Sequence, residues 1–141
     1  MREGVVVDSS VVIKWFLKNE PLADLAEKLL EMFRKGERPF IIPDLLFYEV
    51  GNVFLRKWPQ STAIVEKTLA RLWSLPWFLM PLGESLLIRT LRLAGQYQTS
   101  YYDTLFLSTA ETTNSILYSA DEKFVKKVQE IPFVKSLKSL Q

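Results

Sequence analysis

Short apolar runs alternate along this chain with longer segments in which apolar residues recur every three or four positions. The runs have the length and composition of β-strands, and they are GVVVD, PFIIP, WFLMPL, SILYSAD and PFVKSL. The segments between them predict helices, namely SSVVIKWFL, DLLFYEVGNVFLRKW, STAIVEKTLARLW, GESLLIRTLRLAGQY, SYYDTLFLSTAETTN and DEKFVKKVQE. One more helix, the clearest in the chain, is predicted to begin at Asn19-Glu20-Pro21 and to end at Gly36.

This alternation predicts an α/β fold with a central, mainly parallel sheet flanked by helices, because parallel strands need crossover connections. The chain has 141 residues, of which 48% are hydrophobic. That is enough for one core and one soluble domain spanning residues 1–141. In sheets of this kind, functional groups lie beyond the carboxyl ends of the strands.

The composition excludes several kinds of active site. The chain contains neither Cys nor His, which rules out disulfides, thiolate metal sites, histidine-dependent triads and imidazole-rich zinc sites. Its formal net charge of +2 is too small to indicate nucleic-acid binding by itself. No secretory signal precedes GVVVD, and no apolar run approaches the roughly 20 residues of a membrane span, so we expect a cytoplasmic protein without a membrane partner.

Carboxylates remain as the main chemically active groups, and four of them stand in distinctive places. Asp8 directly follows the strand GVVV, and Asp121 follows the strand ILYSA in the same way. Asp103 begins the helix DTLFLSTAE, and Glu49 lies within a helix among apolar neighbours. Because both follow buried strands, Asp8 and Asp121 are predicted to project toward the same edge of the sheet.

Each acid also has a purely structural explanation. Asp8, Asp103 and Asp121 stand where an N-cap residue accepts backbone N–H bonds, and Glu49 would fit a solvated helix face. Together, however, four carboxylates at one end of a sheet would repel each other unless a cation neutralised them. Mg²⁺ or Mn²⁺ fits that need, since these ions take oxygen ligands and lower the pKa of a coordinated water for attack on a phosphodiester.

The four acids in this order resemble the PIN-domain nucleases, and among them the VapC-like toxins of prokaryotic toxin–antitoxin pairs. VVVDSSVVIKWFL resembles the opening strand and first acid of that family, and PDLLFYEVGNVFLRK resembles its glutamate helix. SYYDTLFLSTAE resembles the segment of the third acid, and LYSADEKF the Ser/Thr-x-Asp segment. The resemblance covers nearly the whole chain and implies a single PIN-like domain with a twisted sheet of strand order 3-2-1-4-5.

By this resemblance, Asp8, Glu49, Asp103 and Asp121 are the catalytic acids that hold Mg²⁺ or Mn²⁺. Asp8 and Asp103 would be the direct ligands, and the other two would act partly through water. Ser119 would orient the site by hydrogen bonds.

The resemblance also implies RNA as the substrate, a homodimer, and a small antitoxin with a DNA-binding part as the inhibitor. Lys14, Arg56 and Lys57 lie near the acids in sequence and are the residues expected to contact RNA phosphate. Asn52 matches a polar position of the family's glutamate helix, and a surface amide would explain it equally well. The aromatic residues considered for dimer or antitoxin contacts, or for core packing, are Trp58, Trp73, Trp77, Phe78 and Tyr101.

These features predict a metal-dependent endoribonuclease that leaves 5′-phosphate and 3′-hydroxyl ends, acting as the toxin of a toxin–antitoxin pair. The alternatives are a PIN-like RNA-processing nuclease without an antitoxin, and a PIN-like module that binds RNA or protein without cutting. A receiver-type phosphotransfer domain fits poorly, because that pattern has a paired acid after the first strand, whereas Ser9 and Ser10 follow Asp8.

Overall fold

An entirely buried strand lies at the centre of the computed structural model, which describes residues 2–141. This strand contains only small and β-branched residues, as expected for a strand covered on both faces. Parallel strands lie on either side of it. The strands are β1 (Gly4–Val7), β2 (Ile41–Ile42), β3 (Phe78–Leu79), β4 (Ser115–Ser119) and β5 (Val134–Ser136).

The strands follow the expected order 3-2-1-4-5, but they do not form one continuous sheet. Strands β1, β4 and β5 form one parallel sheet, β2 and β3 form another, and a single parallel bridge between Val5 and Phe40 joins the two. The Val5 amide donates to Pro39 O at 2.9 Å, and the Asp8 amide donates to Tyr118 O at 3.4 Å. Amides three residues apart point to opposite sides of a strand, so β2 and β4 flank β1.

The division of the strands into two sheets is explained by the sequence around β2. Strand β2 has only two residues, and Pro39 and Pro43 stand close to its ends. A proline cannot donate a backbone hydrogen bond, so the ladder between β1 and β2 cannot extend far in either direction. The expectation of one continuous sheet is therefore wrong in this detail, while the order of the strands is as expected.

Helices cover the sheet, and each segment with helical periodicity forms a helix. Ser9–Phe16 begins directly after the central strand, so the strand and this helix share a rigid junction. The helices are α1 (Ser9–Phe16), α2 (Ala23–Arg34), α3 (Leu45–Lys57), α4 (Thr62–Trp73), α5 (Glu84–Tyr97), α6 (Tyr101–Thr112) and α7 (Glu122–Lys127), followed by a 3-10 turn over Leu137–Leu140. No helix within residues 2–141 is both long and apolar enough to cross a bilayer.

Helix α2 differs from its predicted start but ends as predicted. Leu22 adopts a left-handed conformation with φ 64°, which separates Pro21 from the helix and delays its start to Ala23. At the other end Gly36 has φ 66° and donates to Phe33 O at 3.0 Å, and the amide of Glu37 donates to Met32 O. This pair of bonds is the Schellman motif, which favours glycine because its left-handed residue carries no Cβ.

Gly4 in β1 provides a test of how closely the strands pack. A Cβ at this position would collide with Ser115 Oγ and would lie 2.7 Å from Ile41 Cδ1. We expect Gly4→Ala to lower the free energy of unfolding by roughly 1–3 kcal/mol, measured by urea denaturation.

The matched control is Gly51→Ala in α3, where an added Cβ would meet Leu69 at an ordinary 3.7 Å. This change should raise the free energy of unfolding by about 0.5–1 kcal/mol, since alanine favours helix over glycine. Equal stability of the Gly4→Ala protein and the wild type would contradict the packing described for β1.

Candidate active site

Asp8 stands at the carboxyl end of the central strand, and its carboxylate is almost completely buried, with 9% of the residue exposed. It occupies the N-cap position of α1, where its backbone oxygen accepts the amides of Val11 and Val12. Its side chain is bound differently, because Oδ1 accepts the hydroxyl of Ser10. Asp8 therefore begins the helix through its backbone oxygen, while its carboxylate binds the hydroxyl of Ser10.

Ser10 ties the end of β1 to the end of β4. Besides donating to Asp8, its hydroxyl oxygen accepts the amide of Ala120 at 2.8 Å and lies 3.5 Å from Ser119 Oγ. Ser119 is fully buried and accepts the amide of Asp121 at 3.1 Å. Ser10 therefore shares the orienting role expected of Ser119, and the sequence analysis missed it. Its position two residues after Asp8 is the signal that could have identified it.

Burial controls the protonation of Asp8. It raises the pKa of this carboxyl from its ordinary 3.8 to about 6, and hydrogen bonds from Ser10 and Ser119 offset part of the effect. The negative charge of Asp103 adds a smaller upward contribution to the pKa. Asp8 is consequently a carboxylate whose charged form the folded protein holds at a free-energy cost.

Glu49 projects from α3 toward the same acids. Burial raises its pKa, a hydrogen bond with Ser9 opposes the rise, and the charges of Asp103 and Asp8 add to it. Its Oε1 is buried without a hydrogen-bond partner, the one such side-chain atom in the part of the chain that the structure describes. A buried oxygen left without a donor is costly, so this atom is suited to a ligand that supplies positive charge or a proton.

Asp103 lies in the first turn of α6, but it is not the cap of that helix. Ser100 occupies the N-cap position, and its hydroxyl accepts the amide of Asp103 at 3.0 Å. The expectation that Asp103 begins the helix is therefore wrong, because the helix begins at Tyr101. The carboxylate of Asp103 does not cap the helix. Burial raises the pKa of Asp103, with an opposing hydrogen bond to Ser100 and a further rise caused by Asp121.

Asp121 has the capping role that the sequence analysis considered as its structural explanation. It is the N-cap of α7, and its Oδ1 accepts the amide of Phe124 at 3.2 Å. The residue is exposed, unlike Asp8 at the end of the neighbouring strand. Asp121 still acts on the site through its charge, because that charge raises the pKa of Asp103.

The four predicted acids therefore share one electrostatic neighbourhood without converging on a single point. The charge of Asp103 raises the pKa values of Asp8 and Glu49, and the charge of Asp8 also raises that of Glu49. The charge of Asp121 raises the pKa of Asp103. Within residues 2–141, no three acids stand close enough to form a ready-made ion site. The donor set nevertheless fits an oxygen-binding cation, because it combines a buried carboxylate, mutual repulsion and the unpartnered Glu49 oxygen.

Three basic residues were expected from the sequence to lie near the acids, and the structure adds a fourth. Lys14 is half-buried in the last turn of α1, and Arg56 and Lys57 are exposed in the last turn of α3. At 1.5 Å per helical residue, they lie roughly 9–12 Å along their helices from the acids. Lys127 of α7 is the cation that lowers the pKa of Asp103, and no local sequence signal marks it.

The polar and aromatic residues considered in the sequence analysis differ in their exposure and contacts. Asn52 is exposed on α3. Trp58 and Trp77 are half-buried and stack on core aromatic rings, which confirms core packing for these two. Trp73 and Phe78 remain exposed, and Tyr101 binds the backbone of α5 through its hydroxyl.

The raised pKa of Asp8 predicts how stability depends on pH in metal-free protein. Between the ordinary pKa of 3.8 and the folded value of about 6, the folded chain binds more protons than the unfolded chain. Stability contributed by this group is thus highest below that window, falls as pH rises through it, and stays reduced above. At about pH 7 we expect Asp8→Asn to raise the free energy of unfolding by on the order of 2 kcal/mol.

Urea denaturation of both proteins at several pH values measures this difference, which should vanish near pH 4. Adding Mn²⁺ at neutral pH should stabilise the wild type more than the variant, since the ion needs the carboxylate. A variant less stable than the wild type at neutral pH without metal would show that the Asp8 charge is not held at a cost.

Comparisons with known proteins agree with this architecture. A chain from a toxin–antitoxin complex of Klebsiella pneumoniae is similar in fold, with a TM-score of 0.66 and 19% identity, covering 94% of this chain and 97% of that one. PAE2754 from Pyrobaculum aerophilum is similar with a TM-score of 0.64 and 18% identity, covering 99% and 93%. A sequence search of curated proteins found no match.

At these identities the two solved structures show a shared fold and no more. The sequence pattern of the PIN domain, in contrast, matches residues 5–129 and so spans most of the chain from β1 to the residues after α7. All four acids and the serines that bind Asp8 lie within the matched range. The chain belongs to the PIN domain family.

Proposed function

We propose that this protein is a Mg²⁺- or Mn²⁺-dependent endoribonuclease and the toxin of a toxin–antitoxin pair. The observation that carries the proposal is the group of electrostatically coupled acids around buried Asp8 at the end of β1. PIN domains are generally nucleases. The toxin assignment is supported by the fold shared with a chain of a toxin–antitoxin complex.

The roles of the acids follow from their surroundings. Asp8 and Asp103 are the residues that would hold the cation directly, with Asp121 acting through water. Ser10 and Ser119 keep the Asp8 carboxylate in one orientation, since each hydrogen-bonds to it. When bound, Mg²⁺ or Mn²⁺ supplies positive charge for the scissile phosphate and lowers the pKa of a nearby water.

Glu49 is suited to moving a proton. Its Oε1 has no hydrogen-bond partner in the described chain, and its pKa is raised by burial, so it can accept the proton of an attacking water. In the reaction, the water oxygen bonds to phosphorus, the bond from phosphorus to the 3′ oxygen breaks, and the 3′ oxygen takes up a proton from solvent. The products are a 5′-phosphate and a 3′-hydroxyl, and no histidine is required.

The proposed partners are an RNA substrate, a cognate small antitoxin and a second copy of the chain. A PIN nuclease of RNA processing would use the same acids without an antitoxin. A module that binds RNA without cutting has no need of a buried carboxylate held at a raised pKa, which favours catalysis over that alternative.

RNA cleavage tests the proposal most directly. We expect purified protein to cut RNA when Mg²⁺ or Mn²⁺ is present and to stop when the ion is chelated. Asp8→Asn and Asp103→Asn should each lower the cleavage rate by more than roughly a hundredfold, because each removes a charge that positions the cation. The rate is measured on labelled RNA under single-turnover conditions.

Asp44→Asn is the matched control, because Asp44 is an exposed acid at the N-cap of α3 and is not among the groups that shift the pKa values of Asp8, Glu49 and Asp103. Its activity should equal that of the wild type. Unchanged cleavage by a folded Asp103→Asn protein, or cleavage that persists after chelation, would exclude the mechanism. If the folded wild type cuts no RNA but binds it, the binding module is the correct alternative.

The basic residues give a second test on the same assay. Lys127 is exposed, donates to Gln98 O at 2.8 Å and acts on Asp103 through its charge. Lys127→Gln should therefore raise KM for RNA by roughly three- to tenfold at low salt while kcat changes little. The effect should shrink as salt is added.

Lys126→Gln serves as the control, because Lys126 is its exposed neighbour on the same helix and is not among the groups that shift the pKa values of Asp8, Glu49 and Asp103. Arg56→Gln with Lys57→Gln tests the residues expected from the sequence in the same way. Equal KM values for the Lys127→Gln and Lys126→Gln proteins would remove Lys127 from the RNA-binding surface.

A further inference from the structure

A cavity lies where the start of α3 meets the end of α4, beside β3. Its volume is about 630 Å³, which falls within the range of roughly 300–1,000 Å³ found for small-molecule sites. Such sites combine a mainly apolar wall with a small number of polar groups. The wall of this cavity has the same character, and it includes Asp44, Phe47, Tyr48, Leu69, Trp73 and Leu79.

Three aromatic rings line the cavity, and two of them are open to solvent. Tyr48 of α3 is 69% exposed, and Trp73 of α4 is 64% exposed. Phe47 packs against Trp73 with ring centroids 5.3 Å apart and planes inclined at 62°, so these two rings meet at an angle instead of forming a flat wall. The faces of aromatic rings carry partial negative charge, and they attract cations for that reason.

Asp44 is the only charged residue within residues 2–141 that lines the cavity. It stands at the N-cap position of α3, but its side chain makes no capping hydrogen bond. The residue is exposed and takes no part in an ion pair in the described part of the chain. Because Phe47 and Tyr48 follow it by three and four residues, the carboxylate lies on the same face of α3 as these two rings.

This combination is complementary to a cation. The carboxylate of Asp44 and the ring faces attract positive charge, and an apolar body on the same molecule would cover Leu69 and Leu79. An anion would be repelled by Asp44. A neutral apolar ligand would remove water from the carboxylate and give it no partner in exchange, which costs free energy.

We propose that this cavity binds an organic cation of small-molecule size, with an ammonium or guanidinium group carried on an apolar body. The inference goes beyond the proposed nuclease function and does not depend on it. Asp44 is not among the groups that shift the pKa values of Asp8, Glu49 and Asp103, so its charge does not act on the acidic site.

A series of ligands with one ring and different charges tests the proposal. Titration calorimetry of the full chain, at low salt and with a chelator present, should detect benzyltrimethylammonium with a dissociation constant on the order of 1 mM or below. Benzyl alcohol, which is neutral, and phenylacetate, which is anionic, should each bind at least roughly tenfold more weakly. Added salt should weaken the binding of the cation.

Two substitutions test the residues of the cavity. Trp73→Leu removes an exposed ring and should raise the dissociation constant of benzyltrimethylammonium by roughly three- to thirtyfold. Asp44→Asn removes the charge and should raise the constant by roughly two- to tenfold.

Each substitution has a matched control outside the cavity. Tyr102→Leu removes a ring that is 62% exposed on α6, and Glu84→Gln removes an exposed acid from the first turn of α5. Both control proteins should bind the cation as the wild type does. Circular dichroism should show all four variants folded.

Asp8→Asn separates this cavity from the acidic site. The variant should lose RNA cleavage and keep the affinity for benzyltrimethylammonium, whereas Asp44→Asn should keep cleavage and bind the cation more weakly. If Asp8→Asn weakens cation binding while Asp44→Asn and Trp73→Leu do not, the cation occupies the acidic site and the proposal is overturned.

Two further results would also overturn the proposal. One is the absence of any binding of benzyltrimethylammonium by the folded wild type at millimolar concentrations. The other is equal affinity for the cationic, neutral and anionic ligands, which would show that charge plays no part in the cavity. None of these results depends on whether the protein cuts RNA.

Discussion

The burial of one carboxylate at the end of an entirely buried strand is the constraint on which the site depends. Asp8 has little contact with solvent to stabilise its charge, and the protein supplies hydroxyl donors from Ser10 and Ser119 instead. Those hydroxyls also bind the backbone after β4, and this makes the junction of β1, α1 and β4 a single hydrogen-bonded unit. The site is therefore rigid at its centre and more exposed at Asp121.

The acids differ in their burial, in their hydrogen bonds and in whether they cap a helix. Asp121 caps a helix and remains in solvent, so its carboxylate is already satisfied. Asp103 is relieved of capping by Ser100, and Glu49 has an oxygen with no partner. Carboxylates that are buried, mutually repulsive and incompletely bonded destabilise the folded chain, and a bound cation would relieve that cost. Local destabilisation of this kind is typical of functional sites.

Much of the fold could be predicted, because hydrophobic periodicity reflects burial directly. The segment from Leu25 to Phe33 forms the predicted helix with its apolar face inward, and Gly36 ends it as expected. The start of that helix could not be predicted, because Pro21 suits a first helical turn and nothing local reveals the left-handed Leu22. The break between β1 and β2 likewise depends on how far two short strands can pair.

Residue type and local spacing are sufficient to predict the alternation of strands and helices, the exclusion of histidine and cysteine chemistry, and the four acids. The burial of Asp8, the exposure of Asp121, the bonds of Ser10 across two strands and the effect of Lys127 on Asp103 depend on the folded arrangement. Ser10 and its partner Ala120 are more than a hundred positions apart, and Lys127 is some twenty positions from Asp103. Burial and pairing at such separations arise from packing in space, which no local pattern encodes.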